Sequence, residues 1–320
     1  MKILFIRNDH IGDMVYSTPI FRELKKSIPD CHITVLASPE NKPIIEKNHY
    51  IDEIIELPIP KKSIKNVWQY LKMSWKIRRK KFDIGIDLRG SVQNSFFLLW
   101  LAGIKKKISH IEWHPFIKRF LDVPLQFDKS RYVFDDNAEM LQALGAEQKD
   151  KWPEIIFTPE DEDKVKDLMK TLKLKQNKFI CILPCAGLPE KQWSLDKFVG
   201  ILKGIRHKYK KKYKIVLMGL DKDFETLMKL SDSDTVILRN MNVRHLPLLF
   251  KKSKLVLAHD GGPMHSAWLT GSKVIALYPA EFADKFLPLI NCLTFQSTSR
   301  FNMDSITQEE VWKGIREVLG

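Results

Sequence analysis

The chain has 320 residues, of which 44% are hydrophobic, and its 53 Lys and Arg against 39 Asp and Glu give a net charge of +14. This length allows two domains of ordinary size, and no apolar run approaches the roughly 20 residues that a membrane-spanning helix requires. The positive charge indicates an anionic partner, such as a nucleic acid, an anionic lipid or a phosphorylated substrate.

The cysteines and the amino terminus indicate the compartment. Cys31, Cys181, Cys185 and Cys292 show neither the spacing of a metal site nor that of a disulfide framework. The chain starts directly with an apolar run and lacks the separate basic and apolar regions of a signal peptide. We therefore expect free thiols in a reducing cytoplasm.

The first half of the chain alternates apolar runs with helical patterns. Strands are predicted at Lys2–Ile6, His32–Leu36, Glu53–Leu57, Asp83–Leu88 and about Lys107–Ser109. Helices are predicted at Thr18–Ser27, Glu40–Lys47, Ser63–Lys80 and Ser91–Leu101. Residues 110–131 have no clear period, so we expect a loop with short helical turns there.

The second half begins with a helix signal at Thr158-Pro159, where Thr158 can cap and Pro159 suits the first helical position. Strands are then predicted at Phe179–Leu183, Lys214–Met218, Thr235–Leu238, Lys254–Ala258 and Val274–Tyr278. Helices are predicted at Leu195–Lys208, Asp223–Leu230, Arg244–Phe250 and Met264–Leu269. A capping box from Thr307 to Glu310 opens a last helix.

Two consecutive β-α-β series predict an α/β protein with two parallel sheets, each covered by helices on both faces. We expect one domain over residues 1–158 and a second over 159–320, with a last helix, 307–319, that could pack back on the first domain. We also expect the two domains to face each other across a cleft, a preferred place for small-molecule sites.

The segment from Ala258 to His265 is the strongest local signal of function. It is typical of a strand, a turn at Gly261-Gly262 and a helix, with Pro263 in the first helical turn. Glycines allow close approach of the backbone to a ligand. The free N–H groups and partial positive charge at a helix N-terminus attract anions, so the segment predicts a phosphate site.

Asp13 follows the first strand, in the polar loop that precedes an apolar helical pattern from Val15. Ligands bind at the carboxyl ends of the strands in open α/β sheets, so Asp13 is placed where chemistry can occur. Asp is also a preferred helix-capping residue, and composition alone favours this second interpretation.

A basic segment lies between Lys61 and Lys81. It contains Lys61, Lys62, Lys65, Lys72, Lys76, Arg78, Arg79, Lys80 and Lys81, interleaved with Trp68, Tyr70, Met73 and Trp75, and contains no acidic residue. One interpretation is a surface that binds an anionic membrane or a phosphorylated acceptor. The other is an ordinary helix with a solvated face, and the sequence leaves both open.

Four motifs in order resemble the ADP-heptose:lipopolysaccharide heptosyltransferases, glycosyltransferase family 9, over nearly the whole chain. They are Ile11-Gly12-Asp13-Met14-Val15 with Thr18-Pro19, Asp87-Leu88-Arg89-Gly90, Leu183-Pro184-Cys185-Ala186-Gly187 with Lys191 and Trp193, and Asp260-Gly261-Gly262 with His265. The resemblance implies the GT-B architecture of two Rossmann-like domains. It also implies an inverting transfer of heptose from ADP-heptose to the lipopolysaccharide inner core, without a metal or other cofactor.

The resemblance also assigns roles to residues. Asp13 matches the proposed general base, and Lys191 matches the lysine that contacts the pyrophosphate of the donor. Asp221 falls at the ribose-binding position, Met241 at the adenine pocket and His265 at the sugar or a phosphate, although His265 could also be a satisfied helix histidine. The acceptor-binding candidates are Arg78, Arg79, Lys80, Lys81 and Arg89. The implied partners are a nucleotide sugar and an anionic lipopolysaccharide precursor at the cytoplasmic face of the inner membrane, with no nucleic acid.

The chain departs from the family at hydroxyl-bearing positions. The family often has Ser or Thr in the third motif, where this chain has Cys185, Ala186 and Gly187, and after the aspartate of the fourth motif, where it has Gly261. Backbone N–H groups would have to replace these donors to the phosphates. An alternative within the class is therefore a relative that uses another nucleotide sugar or adds an outer-core sugar.

Other sites are disfavoured by the sequence. His110-Ile111-Glu112-Trp113-His114 has its Glu misplaced for a metalloprotease motif, so we expect no metal there. No P-loop and no N-terminal GxGxxG is present, which argues against an NTPase and a dehydrogenase. A basic nucleic-acid-binding protein is the alternative from another class, but no nucleic-acid motif accompanies the charge.

Overall fold

The computed structural model describes residues 1–59, 64–111, 115–126, 128, 131–209, 212–280, 291–299 and 301–320. The chain divides into two compact units, Met1–Ile156 and Phe157–Gly320. Within the described residues, each unit builds a six-stranded parallel sheet with helices. The predicted α/β class with two Rossmann-like domains, the GT-B type, is confirmed.

The sheet of the first unit has the order β3-β2-β1-β4-β5-β6. Its strands are β1 (Lys2–Arg7), β2 (His32–Ala37), β3 (Glu53–Glu56), β4 (Ile84–Asp87), β5 (Lys106–Ile111) and β6 (Val123–Gln126). The four residues Ile3 to Ile6 of β1 are fully buried. A central parallel strand has this pattern because helices cover both faces of the sheet.

The helices of the first unit follow the strands. They are α1 (Ile11–Ser27), α2 (Lys42–Ile45), α3 (Ile64–Lys80), a π-helical segment (Asn94–Leu101), a 3₁₀ turn (Pro115–Phe120) and α4 (Val133–Gln142). One face of α3 packs through Tyr70 and Ile77 into a core shared with Leu98 and Leu99 of the π-helical segment.

The sheet of the second unit has the order β12-β11-β10-β7-β8-β9. Its strands are β7 (Phe179–Leu183), β8 (Lys214–Gly219), β9 (Val236–Arg239), β10 (Leu255–His259), β11 (Val274–Tyr278) and β12 (Cys292–Gln296). Its helices are α5 (Pro159–Thr171), α6 (Leu195–Tyr209), α7 (Phe224–Leu230), α8 (Leu246–Lys252), α9 (Gly262–Leu269) and α10 (Gln308–Leu319).

The last helix, α10, contributes to the core of the second unit. Val311 and Ile315 are fully buried there with residues of α6 and the sheet. A Cβ at Gly204 of α6 would lie 3.1 Å from the ring of Trp312, so glycine permits the close approach of these two helices. Thr158 caps α5 as predicted and also forms a capping box with Asp161, and the capping box predicted at Thr307 is present.

Both sheets have the same strand order when the strands are counted within each unit. In each, the first strand pairs with the fourth: Ile3 of β1 with Ile84 of β4, and Ile180 of β7 with Leu255 of β10. The chain winds outward in opposite directions from these pairs, so each pair is a topological switch point, where open α/β sheets bind ligands.

Several elements differ from those predicted from the sequence. Residues 110–131 are not all loop, because β5 extends to Ile111 and β6 follows at Val123–Gln126. Strand β12 and helix α4 were not predicted, and α1 begins seven residues before the predicted Thr18. Ser63, the predicted start of α3, lies outside the described residues. Among the residues that are described, no helix is long and apolar enough to cross a membrane.

Candidate active site

Asp13 lies in the first turn of α1, directly after the carboxyl end of β1. The capping interpretation is wrong, because His10 occupies the N-cap position and no side chain caps the helix. Asp13 is partly exposed, and no described residue donates a hydrogen bond to its carboxylate. The carboxylate is therefore available to a substrate, next to the favourable partial charge of a helix N-terminus.

The second motif forms a rigid turn at the carboxyl end of β4. The buried carboxylate of Asp87 accepts hydrogen bonds from the backbone N–H groups of Arg89 (3.1 Å) and Ser91 (2.9 Å) and from the side chain of Asn94 (2.9 Å). Burial raises the pKa of Asp87 in spite of these bonds. Gly90 has φ of +70°, and a Cβ there would lie 3.1 Å from the carbonyl oxygen of His110, so glycine is required.

This turn is tied to the loop after β1. The amide of Asn94 also donates to Asn8 Oδ1 (3.1 Å), Asn8 donates to the hydroxyl of Tyr70 (3.1 Å), and Tyr70 donates back to Asn94 Oδ1 (3.2 Å). Burial raises the pKa of Tyr70 to about 12, so it stays a neutral donor. The closed ring holds the Asn8 loop, which leads into the first turn of α1, next to the Arg89 turn at the carboxyl ends of β1 and β4.

The four predicted acceptor-binding cations at the end of α3 differ in environment. Arg78 and Arg79 are exposed, and the guanidinium of Arg79 lies 4.5 Å from the ring centroid of Trp75. Lys80 is different, because its ammonium lies 2.6 Å from a carboxylate oxygen of Glu53 on β3. Lys81 is exposed in a left-handed conformation, with φ of +55°. Lys80 therefore has a structural partner, whereas the other three are exposed to solvent.

The rest of the basic segment and the region around His110 are both described only in part. Lys72 and Lys76 are exposed on α3, beside Trp68 and Trp75, whose residues are 65% and 62% exposed. Lys61 and Lys62 lie outside the described residues, as do Glu112 to His114. His110 itself is buried, with Nε2 3.4 Å from a carboxylate oxygen of Glu139.

In the second unit, the loop after β7 is held by Gln192 and Trp193. The side chain of Gln192 donates to the carbonyl of Pro184 (2.9 Å) and accepts from the backbone N–H of Ala186 (2.9 Å). The backbone N–H of Trp193, whose side chain is fully buried, donates to Nε2 of His259 on β10 (3.0 Å). The loop that carries Lys191 is thereby fixed to the neighbouring strand across the switch point.

Lys191 reaches the residue that follows β10. Its ammonium lies 2.5 Å from Oδ2 of Asp260, and the other oxygen, Oδ1, lies 3.1 Å from Nε2 of His265. The indole N–H of Trp268 donates to Nδ1 of His265 (3.5 Å), which leaves the proton of a neutral ring on Nε2, facing Asp260. Burial opposes ionisation of Asp260, but the hydrogen bond from His265 and the charge of Lys191 hold its pKa below the usual value.

His265 is buried, and both ring nitrogens have partners within the unit. This environment favours the alternative that His265 is a structural histidine with both ring nitrogens hydrogen-bonded, rather than a residue that contacts a sugar or a phosphate. In this conformation His265 orients the carboxylate of Asp260.

The turn at Gly261-Gly262 opens α9 as predicted, with Pro263 in the first helical turn. Gly261 is extended (φ of 165°), a conformation that any residue adopts, so the backbone geometry alone does not require glycine there. A Cβ at Gly261 would meet no described atom within 4 Å. The space in front of the helix N-terminus is therefore open, as an anion site there requires.

One of the backbone donors expected in the third motif is already in use. The N–H of Ala186 is occupied by Gln192, so it is not free for a phosphate in this conformation. Cys185 is half-buried, and burial raises the pKa of its thiol to about 11, so the thiol remains neutral at pH 7. Gly187 is exposed, and a Cβ there would meet no described atom within 4 Å.

Asp221 and Met241 lie close together, after the carboxyl ends of β8 and β9. The backbone N–H of Asp221 donates to Asn240 Oδ1 (3.1 Å), and its exposed carboxylate accepts from Asn240 and from Arg239 (2.8 Å). Met241 follows Asn240 and is partly buried. The structure thus brings the two predicted nucleotide-contacting residues to one edge of the second sheet.

Sequence reasoning missed several residues that fix these positions. Gln192, His259 and Asn240 lie next to predicted site residues in the chain, and Arg239 lies close to Met241. The partners of His259, Arg239 and Asn240 are distant in sequence, whereas those of Gln192 lie within the same loop. Only adjacency to a motif could have indicated them. A cavity of about 920 Å³ lies elsewhere, at the amino ends of β8 and β9, where Lys178, Arg206 and Lys214 line it. That is the opposite edge of the sheet from Asp260.

Comparisons with known proteins point to one family. The sequence model for glycosyltransferase family 9 (heptosyltransferase) matches residues 70–313, more than half of the chain. The chain is 24% identical over 282 residues to lipopolysaccharide heptosyltransferase 3 of Escherichia coli, covering 84% of this chain and 81% of that protein.

Two solved structures share the fold. A family 9 glycosyl transferase from Veillonella parvula is 20% identical with a TM-score of 0.85, covering 99% of this chain and 97% of that one. The E. coli ADP-heptose lps heptosyltransferase II is 20% identical with a TM-score of 0.78, covering 100% of this chain and 98% of that one. With the family match over residues 70–313, the chain belongs to glycosyltransferase family 9, the heptosyltransferases.

Proposed function

We propose that this protein transfers heptose from ADP-heptose to the inner core of lipopolysaccharide, with inversion at the anomeric carbon and without a metal. Its relatives include lipopolysaccharide heptosyltransferases, and a solved neighbour is named for ADP-heptose. The protein would act in the cytoplasm, bound peripherally to the inner membrane, and it needs no cofactor besides the donor substrate.

The observation that carries this proposal is the ion pair of Lys191 and Asp260 beside the open N-terminus of α9. Departure of ADP leaves negative charge on a phosphate. A lysine and a helix N-terminus, both fixed before the reaction, stabilise such charge without reorganisation. In this account they also perform the task that a divalent cation performs in other transferases.

Asp13 is the proposed general base. An acceptor hydroxyl oxygen attacks the anomeric carbon of the heptose, and the bond from that carbon to the β-phosphate oxygen breaks. The hydroxyl proton passes to Asp13, and the electron pair of the broken bond leaves with ADP. A single displacement of this kind inverts the anomeric centre. The partly exposed carboxylate, to which no described residue donates a hydrogen bond, supports this role.

Asp221 and Met241 would bind the nucleoside of the donor. The carboxylate of Asp221 is exposed and still has lone pairs for the ribose hydroxyls beyond its bonds to Arg239 and Asn240. Met241, which directly follows Asn240, would line the adenine pocket. Gly187 and Gly261 leave space for the pyrophosphate.

The exposed side of α3 is the proposed contact with the membrane and the anionic acceptor. We call Trp68, Lys72, Trp75, Lys76 and Arg79 the α3 face, since spacings of three, four and seven residues place them on one side of the helix. Exposed tryptophans suit a membrane interface, and the cations suit anionic head groups. Arg78, Lys81 and Arg89 would add contacts to acceptor phosphates or carboxylates.

The test is transfer activity with defined substrates. Purified protein should release ADP from ADP-heptose in the presence of a Kdo- or heptose-bearing lipid A acceptor, and mass spectrometry should show one added heptose. Asp13→Asn should lower turnover by about 100-fold or more and leave ADP binding unchanged. Activity with UDP- or GDP-sugars but not with ADP-heptose would contradict the donor assignment.

The acceptor is tested in cells. Core oligosaccharide from a strain that lacks the gene should lose an inner-core heptose by mass spectrometry. Loss of an outer-core sugar instead would favour the alternative of a family 9 relative with a different acceptor. A gel shift with DNA or RNA tests the nucleic-acid alternative, for which we expect no specific binding.

A further inference from the structure

Arg7, the last residue of β1, connects the base-bearing turn of α1 to a second carboxylate. Its buried guanidinium donates from Nε to the carbonyl oxygen of Asp13 (3.2 Å) and to the hydroxyl of Ser17 (2.9 Å). From Nη1 it donates to Oδ2 of Asp9 (3.2 Å) and to the carbonyl oxygen of Leu88 (2.6 Å). One cation therefore fixes Asp9 and the backbone of Asp13 relative to each other.

Asp9 is held firmly and is almost completely buried, with 6% of the residue exposed. Its carbonyl oxygen accepts from the hydroxyl of Ser38 (2.9 Å) and the amide of Asn41 (3.2 Å) in the connection between β2 and α2. Its second carboxylate oxygen, Oδ1, is buried and has no hydrogen-bond partner among the described residues. Most buried side-chain oxygens are hydrogen-bonded, so the unbonded Oδ1 of Asp9 calls for an explanation.

We propose that Asp9 and Arg7 are positioning residues for the reaction: Arg7 fixes the Asp13 turn, and the negative charge of Asp9 strengthens Asp13 as a base. This inference rests on the proposed role of Asp13. As the acceptor proton moves to Asp13, a nearby negative charge stabilises the proton there, because opposite charges attract.

The charge of Asp9 depends on pH in the range where enzymes work. Burial raises its pKa to about 7, the charge of Arg7 opposes this, and the charge of Asp13 adds to it. The other charged groups that face Asp9 are Arg89, which favours its ionisation, and Asp87, which disfavours it. Ser38 and Asn41, from the β2–α2 connection, are neutral.

The decisive experiment compares the pH dependence of kcat, from pH 5.5 to 8.5, for wild type and Asp9→Asn. The matched control is Glu23→Gln, since Glu23 is also a buried carboxylate paired with an arginine, Arg22, but lies ten residues beyond Asp13 on α1. Donor and acceptor are both used at saturating concentration, so differences in substrate binding do not affect the kcat values that are compared. Donor KM is measured in parallel.

Asp9→Asn should reduce kcat about threefold to tenfold at pH 8 and less than about twofold at pH 5.5, where wild-type Asp9 is itself protonated. Donor KM should not change. The ratio of the wild-type to the Glu23→Gln rate should be independent of pH. Arg7→Lys should keep part of the activity, whereas Arg7→Met should lose more, since only lysine retains the cation.

A wild-type to Asp9→Asn ratio that is constant over the pH range would overturn the inference and leave a structural role for Asp9. If Asp9→Asn does not fold, the wild-type profile decides, because the inference requires a rise in kcat with an apparent pKa near 7. Full activity of Asp13→Asn would instead contradict the proposed function. The two failures are therefore distinguishable.

Discussion

The ammonium of Lys191 lies 2.5 Å from Oδ2 of Asp260, and both groups stand where the first and fourth strands of the second sheet meet. The carboxylate is held from its other side by His265. Lys191 is thus oriented before any ligand arrives, but it must share its charge between Asp260 and a pyrophosphate. Binding of ADP should strengthen the second contact at the expense of the first.

Replacement of Lys191 tests this arrangement. Lys191→Ala should weaken ADP binding by about tenfold or more and lower kcat as well, because the lysine neutralises charge that grows in the transition state. Calorimetry gives the Kd for ADP, and steady-state kinetics gives kcat. Lys203→Ala, at an exposed position on α6 of the same unit, is the control and should leave both unchanged. Equal ADP affinity of the two variants would contradict the assignment of Lys191.

Metal removal tests the proposed electrostatics. Because Lys191 and the N-terminus of α9 are expected to stabilise the leaving group, EDTA should leave kcat within about twofold of the untreated value. Activity is measured after dialysis against EDTA and again after addition of Mg²⁺. A loss on dialysis that Mg²⁺ restores would contradict a metal-independent mechanism.

The cations at the end of α3 can be tested without disturbing the fold. A triple variant with Arg78, Arg79 and Lys81 replaced by Gln leaves the ion pair of Lys80 and Glu53 intact. Each cation near an anionic surface contributes about 1 kcal/mol at most, so vesicle binding should fall about tenfold to 100-fold at low salt. Acceptor KM should rise, donor KM should stay constant, and the defect should shrink at high salt.

The matched control removes the same charge from the second unit. Lys173, Lys175 and Lys178 are exposed in the connection between α5 and β7, and their replacement by Gln changes the net charge equally. Binding is measured by sedimentation with vesicles of phosphatidylglycerol and phosphatidylethanolamine. Equal loss in both triple variants would show that net charge alone, rather than the end of α3, attracts the membrane.

His259 predicts a specific acid sensitivity. Burial lowers its pKa to about 4, against an ordinary value of 6.5, so the unfolded chain takes up a proton more readily than the folded chain. The contribution of His259 to the free energy of unfolding is therefore complete above about pH 6.5 and is lost as the pH falls toward 4. Its total is on the order of 3 kcal/mol. Melting temperatures from pH 7 to 5 should fall more steeply for wild type than for His259→Gln.

The control for this measurement is His207→Gln, at an exposed position on α6. Its melting temperature should follow wild type over the same pH range. If His259→Gln also follows wild type, the acid sensitivity arises from other groups.

The alternation of strands and helices could be predicted because central parallel strands such as β1 and β10 are continuous apolar runs. The missed strands lie at the edges of the sheets. Strand β6 contains Pro124, a residue that is tolerated at an edge but weakens a strand pattern. Strand β12 is only half-buried, so its apolar pattern is short.

The predicted site residues were recognised from local motifs, and this is also why parts of the site were missed. Asp13 and Asp260 stand in motifs of contiguous residues, and Lys191 follows such a motif by four residues. Arg7 and Asp9 instead act through Leu88, Ser38 and Asn41, which are distant in sequence. Such partners come together only when distant strands pair. No periodicity in the sequence could assign them.

The shared strand order has a consequence for how the chain acquires activity. Each switch point joins strands that are remote along the chain, as the pairs Ile3–Ile84 and Ile180–Leu255 show. Contacts that close such long loops carry a large entropic cost and form late. During refolding, β7 and β8 can pair while the other edge of β7 is still exposed and prone to aggregation. Recovery of ADP binding would then mark the moment at which β10 covers that edge, and variants that delay this step would accumulate as inclusion bodies.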